Sequence, residues 1–95
     1  MGSVHPNVTI PTPAADRPIM FTTTWCGYCS RLKSQLKRAG VAFDEVDIEQ
    51  HEDGAQRVAE ANRGNLTVPT MVFSDGTALT NPSASTVSSK IAALV

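Results

Sequence analysis

The sequence predicts a small α/β domain, a four-stranded mixed sheet with about three helices on its faces. Three observations predict it. Apolar residues switch between strand-like runs and helix-like spacing in the order strand, helix, strand, helix, hairpin, helix. The opening strand–helix–strand unit implies a parallel pair joined by a right-handed crossover. Asp75-Gly76, set between two short strand-like runs, marks a hairpin and so adds antiparallel strands.

Each element has its own signal. "IMFTT" from Ile19 is a short run of strand formers that leads into "WCGYC". From Cys26 the period becomes helical: Cys29, Leu32, Leu36 and Ala39 share one face, Arg31, Lys33, Lys37 and Arg38 take the others, and Gly40 ends the helix. Val41 to Ile48 reads as the second strand, with an alternation that slips near Asp44. In "EDGAQRVAEANRG", Ala55, Val58, Ala59 and Asn62 share a face and Gly64 ends a second helix. Thr70–Phe73 and Thr77–Thr80 form the hairpin strands. Asn81-Pro82-Ser83 opens the last helix, with Pro82 near its first turn and Ala84, Val87, Ile91 and Leu94 as its apolar stripe.

The chain has 95 residues, 41% apolar and 18% charged, with a net charge of −1. That is one domain with an ordinary globular balance, and it offers no electrostatic reason to bind nucleic acid or an anionic membrane. No apolar run approaches the roughly 20 residues of a spanning helix. Residues 1–16 carry three prolines and scattered apolar groups, and are expected to be a leader to a folded unit at 17–95. The leader lacks the basic-then-apolar order of a secretory signal, so a reducing cytoplasm is the expected compartment.

Cys26 and Cys29 are the only cysteines. Cys26 falls where the first strand meets the first helix, so its sulfur faces unpaired N–H groups and the positive end of the helix dipole, which favour thiolate over thiol. Cys29 lies one turn deeper on the same face, where an i, i+3 disulfide is allowed. The pair suits thiol–disulfide exchange, with Cys26 as the exposed attacking sulfur and Cys29 as the shielded resolving one. A structural zinc site needs four ligands, and only His5 and His51 could add to the pair, so no metal is expected. Two inert buried thiols remain an alternative, disfavoured by their place at a strand-to-helix junction beside Trp25 and Tyr28.

"WCGYC" followed some forty residues later by "TVPT" (Thr67–Thr70) resembles the thioredoxin superfamily, and the short architecture with Tyr28 inside the motif resembles its glutaredoxin branch. "DEVDIE", "NLTVPT", "DG" and "LTNPS" narrow the resemblance, over residues 18 to 95, to mycoredoxins. These are glutaredoxin-like reductases that work with mycothiol. The resemblance implies a thioredoxin-like fold and a cis Val68–Pro69 bond beside the cysteines. It implies that the Val68 backbone pairs with an extended substrate. It places Trp25, Gly27 and Tyr28 in the small-thiol groove.

The sequence departs from glutathione-using glutaredoxins before the last helix. Thr80-Asn81-Pro82-Ser83 has no acid to pair an ammonium, and Thr22, Thr23 and Thr24 stand where a lysine often precedes the motif. Thr67, Thr80, Asn81 and Ser83 are the candidate partners for a thiol whose bulk is sugar and inositol, and each also suits a cap or turn. The resemblance implies no bound cofactor, mycothiol as reducing co-substrate, and S-mycothiolated or disulfide-containing proteins as partners, with a monomer expected. Two other readings stay open. One is an electron donor linked to thioredoxin reductase, for example to ribonucleotide reductase. The other is a [2Fe–2S] module, since Gly27 stands where the usual motif has proline.

Overall fold

The computed structural model describes residues 10–95. Its elements run β1 (Ile19–Thr22), α1 (Gly27–Arg38), β2 (Asp44–Asp47), α2 (Glu52–Ala61), β3 (Thr70–Val72), β4 (Ala78–Thr80) and α3 (Ala84–Leu94). The four strands form one sheet in the order β2-β1-β3-β4. β1 and β2 are parallel, with Thr22 opposite Asp47, while β1–β3 and β3–β4 are antiparallel. The expected mixed four-stranded sheet with three helices is the architecture found.

β1 is central, and all four of its residues are buried. Its side chains alternate between two cores, because successive strand residues point to opposite faces. Met20 joins Leu32 and Leu36 of α1, Met71, Phe73 and Val87 of α3. Ile19 and Phe21 join Val46, Ile48 and Val58 of α2. Helices α1 and α3 therefore cover one face and α2 the other. Truncating a side chain such as Phe21 to alanine would cost about 3–5 kcal/mol.

The helix ends follow local chemistry. Gly40 at φ 74° closes α1, with Gly40 N–H donating to Lys37 O at 3.1 Å and Val41 N–H to Leu36 O at 2.9 Å. Lys37 and Arg38 occupy the last turn of α1, where they complement the negative end of its dipole. Lys33 of α1 also meets Glu45 of β2 at 2.8 Å, so the basic helix and the acidic strand are paired across the fold. Asp75 in the hairpin turn accepts from Lys90 of α3 at 2.7 Å, and that contact, followed by the Thr77 donors, holds its carboxyl down at about 2.

Several boundaries differ from expectation. β2 covers only Asp44–Asp47 of the expected Val41–Ile48; as an edge strand it is paired only with β1, and just beyond its end Ile48 N–H still donates to Thr22 O at 2.9 Å. Helix α2 stops at Ala61, and Asn62 is its C-cap rather than a member of its apolar face. Arg63 and Gly64 then turn the chain with φ 56° and 91°. Pro82, expected near the first turn of the last helix, lies immediately before the α3 cap, Ser83. Of the expected leader, Ile10 packs against the core on the α2 side and Ala14–Arg17 form a turn closed by two backbone hydrogen bonds. Residues 1–9 lie outside the described residues. Among the described residues no helix is long and apolar enough to cross a membrane.

Candidate active site

Cys26 is the N-cap of α1. Its backbone is extended (φ −85°, ψ 111°), and its sulfur accepts the Cys29 N–H at 3.1 Å. A thiol is thus placed where a serine or aspartate oxygen usually caps a helix. On its other side the Sγ lies 3.8 Å from the Val68 carbonyl oxygen, a weak S–H donor contact across 42 residues of sequence. The sulfur is less open than the exposed nucleophile expected from sequence: Cys26 is only 7% exposed, because it leans between the helix end and the Val68 loop. Cys29 is fully buried one turn below.

Both thiols are free. Burial is the main reason that the Cys29 thiol is pushed up to about 12, and its contact with Cys26 pushes the same way. The Thr23 backbone N–H and the charge of Lys33 work against that rise without cancelling it. At neutral pH Cys29 is therefore a thiol held in reserve.

Val68–Pro69 is the cis bond that the resemblance implies, and Pro69 is fully buried. Trp25 and Tyr28 flank Cys26 in sequence and are 72% and 64% exposed, so they stand out from the surface beside a nearly buried sulfur. Gly27, between the cysteines, has open space where a side chain would be. Thr67 is exposed and directly precedes Val68. The residues after β4 are engaged locally. Thr80 Oγ1 donates to Asn62 Oδ1 at 2.6 Å, Asn81 (φ 47°) donates its N–H to Pro69 O at 2.7 Å, and Ser83 Oγ accepts from Thr86 N–H as the α3 cap.

Sequence reasoning missed two residues. Glu49 accepts the Trp25 indole N–H at 3.0 Å, and Asn62 braces the loop that carries Val68. Glu49 gives no local signal, since its partner lies 24 residues away. Among the described residues no group of three or more His, Cys, Asp or Glu side chains is gathered to hold a metal ion. A shallow depression of about 340 Å³ lined by Arg17, Lys37, Val41, Ala42, Phe43 and Glu45 shares no residue with the cysteine site. The site thus brings together a capped sulfur at Cys26, a buried second thiol at Cys29, and the Val68 carbonyl beside the first sulfur.

These features define a thiol–disulfide oxidoreductase on a thioredoxin-like fold. The glutaredoxin family model matches residues 19–78, and the chain belongs to that family. Within the family it is mycoredoxin-like: Mycoredoxin 1 of Corynebacterium glutamicum (strain ATCC 13032) is 43% identical over 75 residues, which are 79% of this chain and 92% of that protein. A Mycobacterium tuberculosis (strain H37Rv) protein provisionally named a glutaredoxin is 53% identical over 72 residues, 76% of this chain and 86% of the relative. The crystal structure of a glutaredoxin from Methanosarcina mazei Go1 shares the fold with a TM-score of 0.70 at 21% identity, covering 86% of this chain and 84% of that one.

Proposed function

We propose that the protein reduces mixed disulfides between proteins and mycothiol. The observation that carries this reading is the arrangement of Cys26, capped by the Cys29 N–H and set 3.8 Å from the Val68 carbonyl, in a chain similar to Mycoredoxin 1 over most of its length. Cys26 thiolate attacks the mycothiol sulfur of the mixed disulfide. The old S–S bond breaks, the protein leaves as a thiolate that takes a proton, and Cys26 becomes mycothiolated. A second mycothiol thiolate then attacks that sulfur, releasing Cys26 and forming mycothiol disulfide. Cys29 supports a branch in which it loses its proton and closes the Cys26–Cys29 disulfide, releasing mycothiol.

Trp25, Gly27 and Tyr28 line the thiol side in this reading, and Thr67, Val68 and Pro69 the chain side. Thr80, Asn81 and Ser83 offer polar groups at the end of β4. The reaction belongs to a reducing cytoplasm and to a monomer. The test is NADPH consumption by oxidised protein in two separate systems, mycothiol with its disulfide reductase and thioredoxin reductase alone. Turnover is expected in the first. Turnover only in the second would assign the chain to electron donors served by thioredoxin reductase.

A further inference from the structure

Four polar groups from three separate elements line up behind the Val68 loop. The Thr80 hydroxyl, at the end of β4, donates to Asn62 Oδ1 at 2.6 Å. The Asn62 amide nitrogen, at the C-cap of α2, donates to Thr70 Oγ1 at 3.2 Å and to Val58 O at 3.1 Å. Thr70, fully buried at the start of β3, passes its one proton to the Thr67 carbonyl at 2.7 Å. Every bond in this series points the same way, from Thr80 to Thr67. Aligned hydrogen bonds polarise one another, by about 10–30% per bond. Among side chains of this length only asparagine can accept on one atom and donate from another across a planar group.

The last acceptor determines what the series does. The Thr67 carbonyl and the Val68 N–H belong to one planar peptide unit and point in opposite directions. A hydrogen bond that holds the carbonyl toward Thr70 fixes that plane. It turns the Val68 N–H away from Thr70 and draws electron density from the N–H bond. The following carbonyl, that of Val68, is the one beside Cys26 Sγ.

We propose that Asn62 is a positioning residue which, through Thr70, sets the orientation and donor strength of the Val68 N–H that meets the substrate's backbone. This deepens the proposed function and rests on it. Asn62→Asp is the closest probe in shape. Its carboxylate cannot donate, and it accepts the Thr70 proton instead, which frees the Thr67 carbonyl and reverses the link between positions 62 and 70, while Thr80 still donates to position 62. Thr70→Val removes the same link from the other side. Thr80→Val, at an exposed position, removes only the first bond.

The experiment pairs an amide NMR spectrum of the reduced protein with steady-state kinetics on a short peptide carrying one cysteine as its mycothiol mixed disulfide. The Val68 amide proton is expected to move upfield in Asn62→Asp and Thr70→Val, and by less in Thr80→Val. KM for the peptide is expected to rise about tenfold in the first two, with kcat reduced less than twofold and no further loss in the double variant. An unmoved Val68 amide in correctly folded Asn62→Asp overturns the proposal. So does a loss carried mainly in kcat with slower alkylation of Cys26, which would make Asn62 a general support of the site. Should Asn62→Asp not fold, Thr70→Val decides by the same two readouts. Wild-type protein that leaves the peptide disulfide unreduced would overturn the proposed function, while the Val68 amide still decides the role of Asn62.

Discussion

The indole N–H of Trp25 donates to Glu49 Oε2 at 3.0 Å, across 24 residues of sequence and in front of Cys26. The parallel pairing of β1 and β2 accounts for it: Thr22 lies opposite Asp47, so the residues just beyond each strand emerge at the same end of the sheet. The turn after β2 is itself fixed, because Glu49 N–H donates to Asp47 Oδ1 at 2.8 Å. An aromatic ring that is mostly exposed is thereby held in one place by its single polar atom. Trp25 is the only tryptophan in the chain, so tryptophan fluorescence reports on this one ring. In Glu49→Ala the ring is expected to gain mobility, seen as lower fluorescence anisotropy, whereas Glu49→Gln keeps an acceptor and stays close to wild type. Stability should change by less than about 1 kcal/mol in both, as for other exposed polar pairs.

The two cysteines should separate sharply under substitution. Cys26→Ser removes the attacking sulfur and is expected to lower turnover by about a thousandfold or more. Cys29→Ser leaves the capped sulfur and is expected to stay within about tenfold of wild type on mycothiol mixed disulfides. The same NADPH assay measures both. Activity that survives Cys26→Ser and disappears in Cys29→Ser would invert the assignment.

Cys29 also predicts an alkaline weakness. Its thiol is raised from 9.0 to about 12, chiefly by burial and next by contact with Cys26. The unfolded chain thus loses this proton at a lower pH than the folded one. The stabilisation is complete below about pH 9 and is lost as pH rises from there toward 12, at up to roughly 1.4 kcal/mol per pH unit from this group. Urea midpoints under reducing conditions between pH 8 and 11 should fall more steeply in wild type than in Cys29→Ala. Parallel slopes would refute the assignment of the loss to Cys29.

Gly54 faces the sheet. A Cβ there would lie 3.1 Å from Val46 Cγ1 and 3.6 Å from Phe21 Cδ1, both in the core beneath α2. A branched side chain has no room without moving the helix. Gly54→Val is therefore expected to destabilise by about 1–3 kcal/mol, measured by urea unfolding, despite the low helix propensity of the glycine it replaces.

What could be read from the sequence was local. Gly40, Gly76 and the Cys26–Cys29 spacing each announce themselves within a few residues, and each sits where its signal implies. The ends of β2 were not legible, since an edge strand buries too little to keep a clear alternation. Asn62 shares a helical face with Val58 by spacing alone, yet its side chain is engaged by Thr70 and Thr80, partners 8 and 18 residues away. Such bonds depend on which elements the fold brings together. Ser83 has the opposite character: capping is written into its position before an apolar stripe, and it caps α3.

The 42-residue separation of Cys26 and Val68 also has a consequence during synthesis. Both cysteines are polymerised well before the segment that lies over Cys26. At about 5–20 residues per second, the reactive sulfur waits roughly 2–8 s for its neighbouring loop to be polymerised. Through that interval it has neither the Val68 carbonyl beside it nor a packed sheet beneath it. A chain cut short before Val68 would carry both cysteines without the fold that positions them.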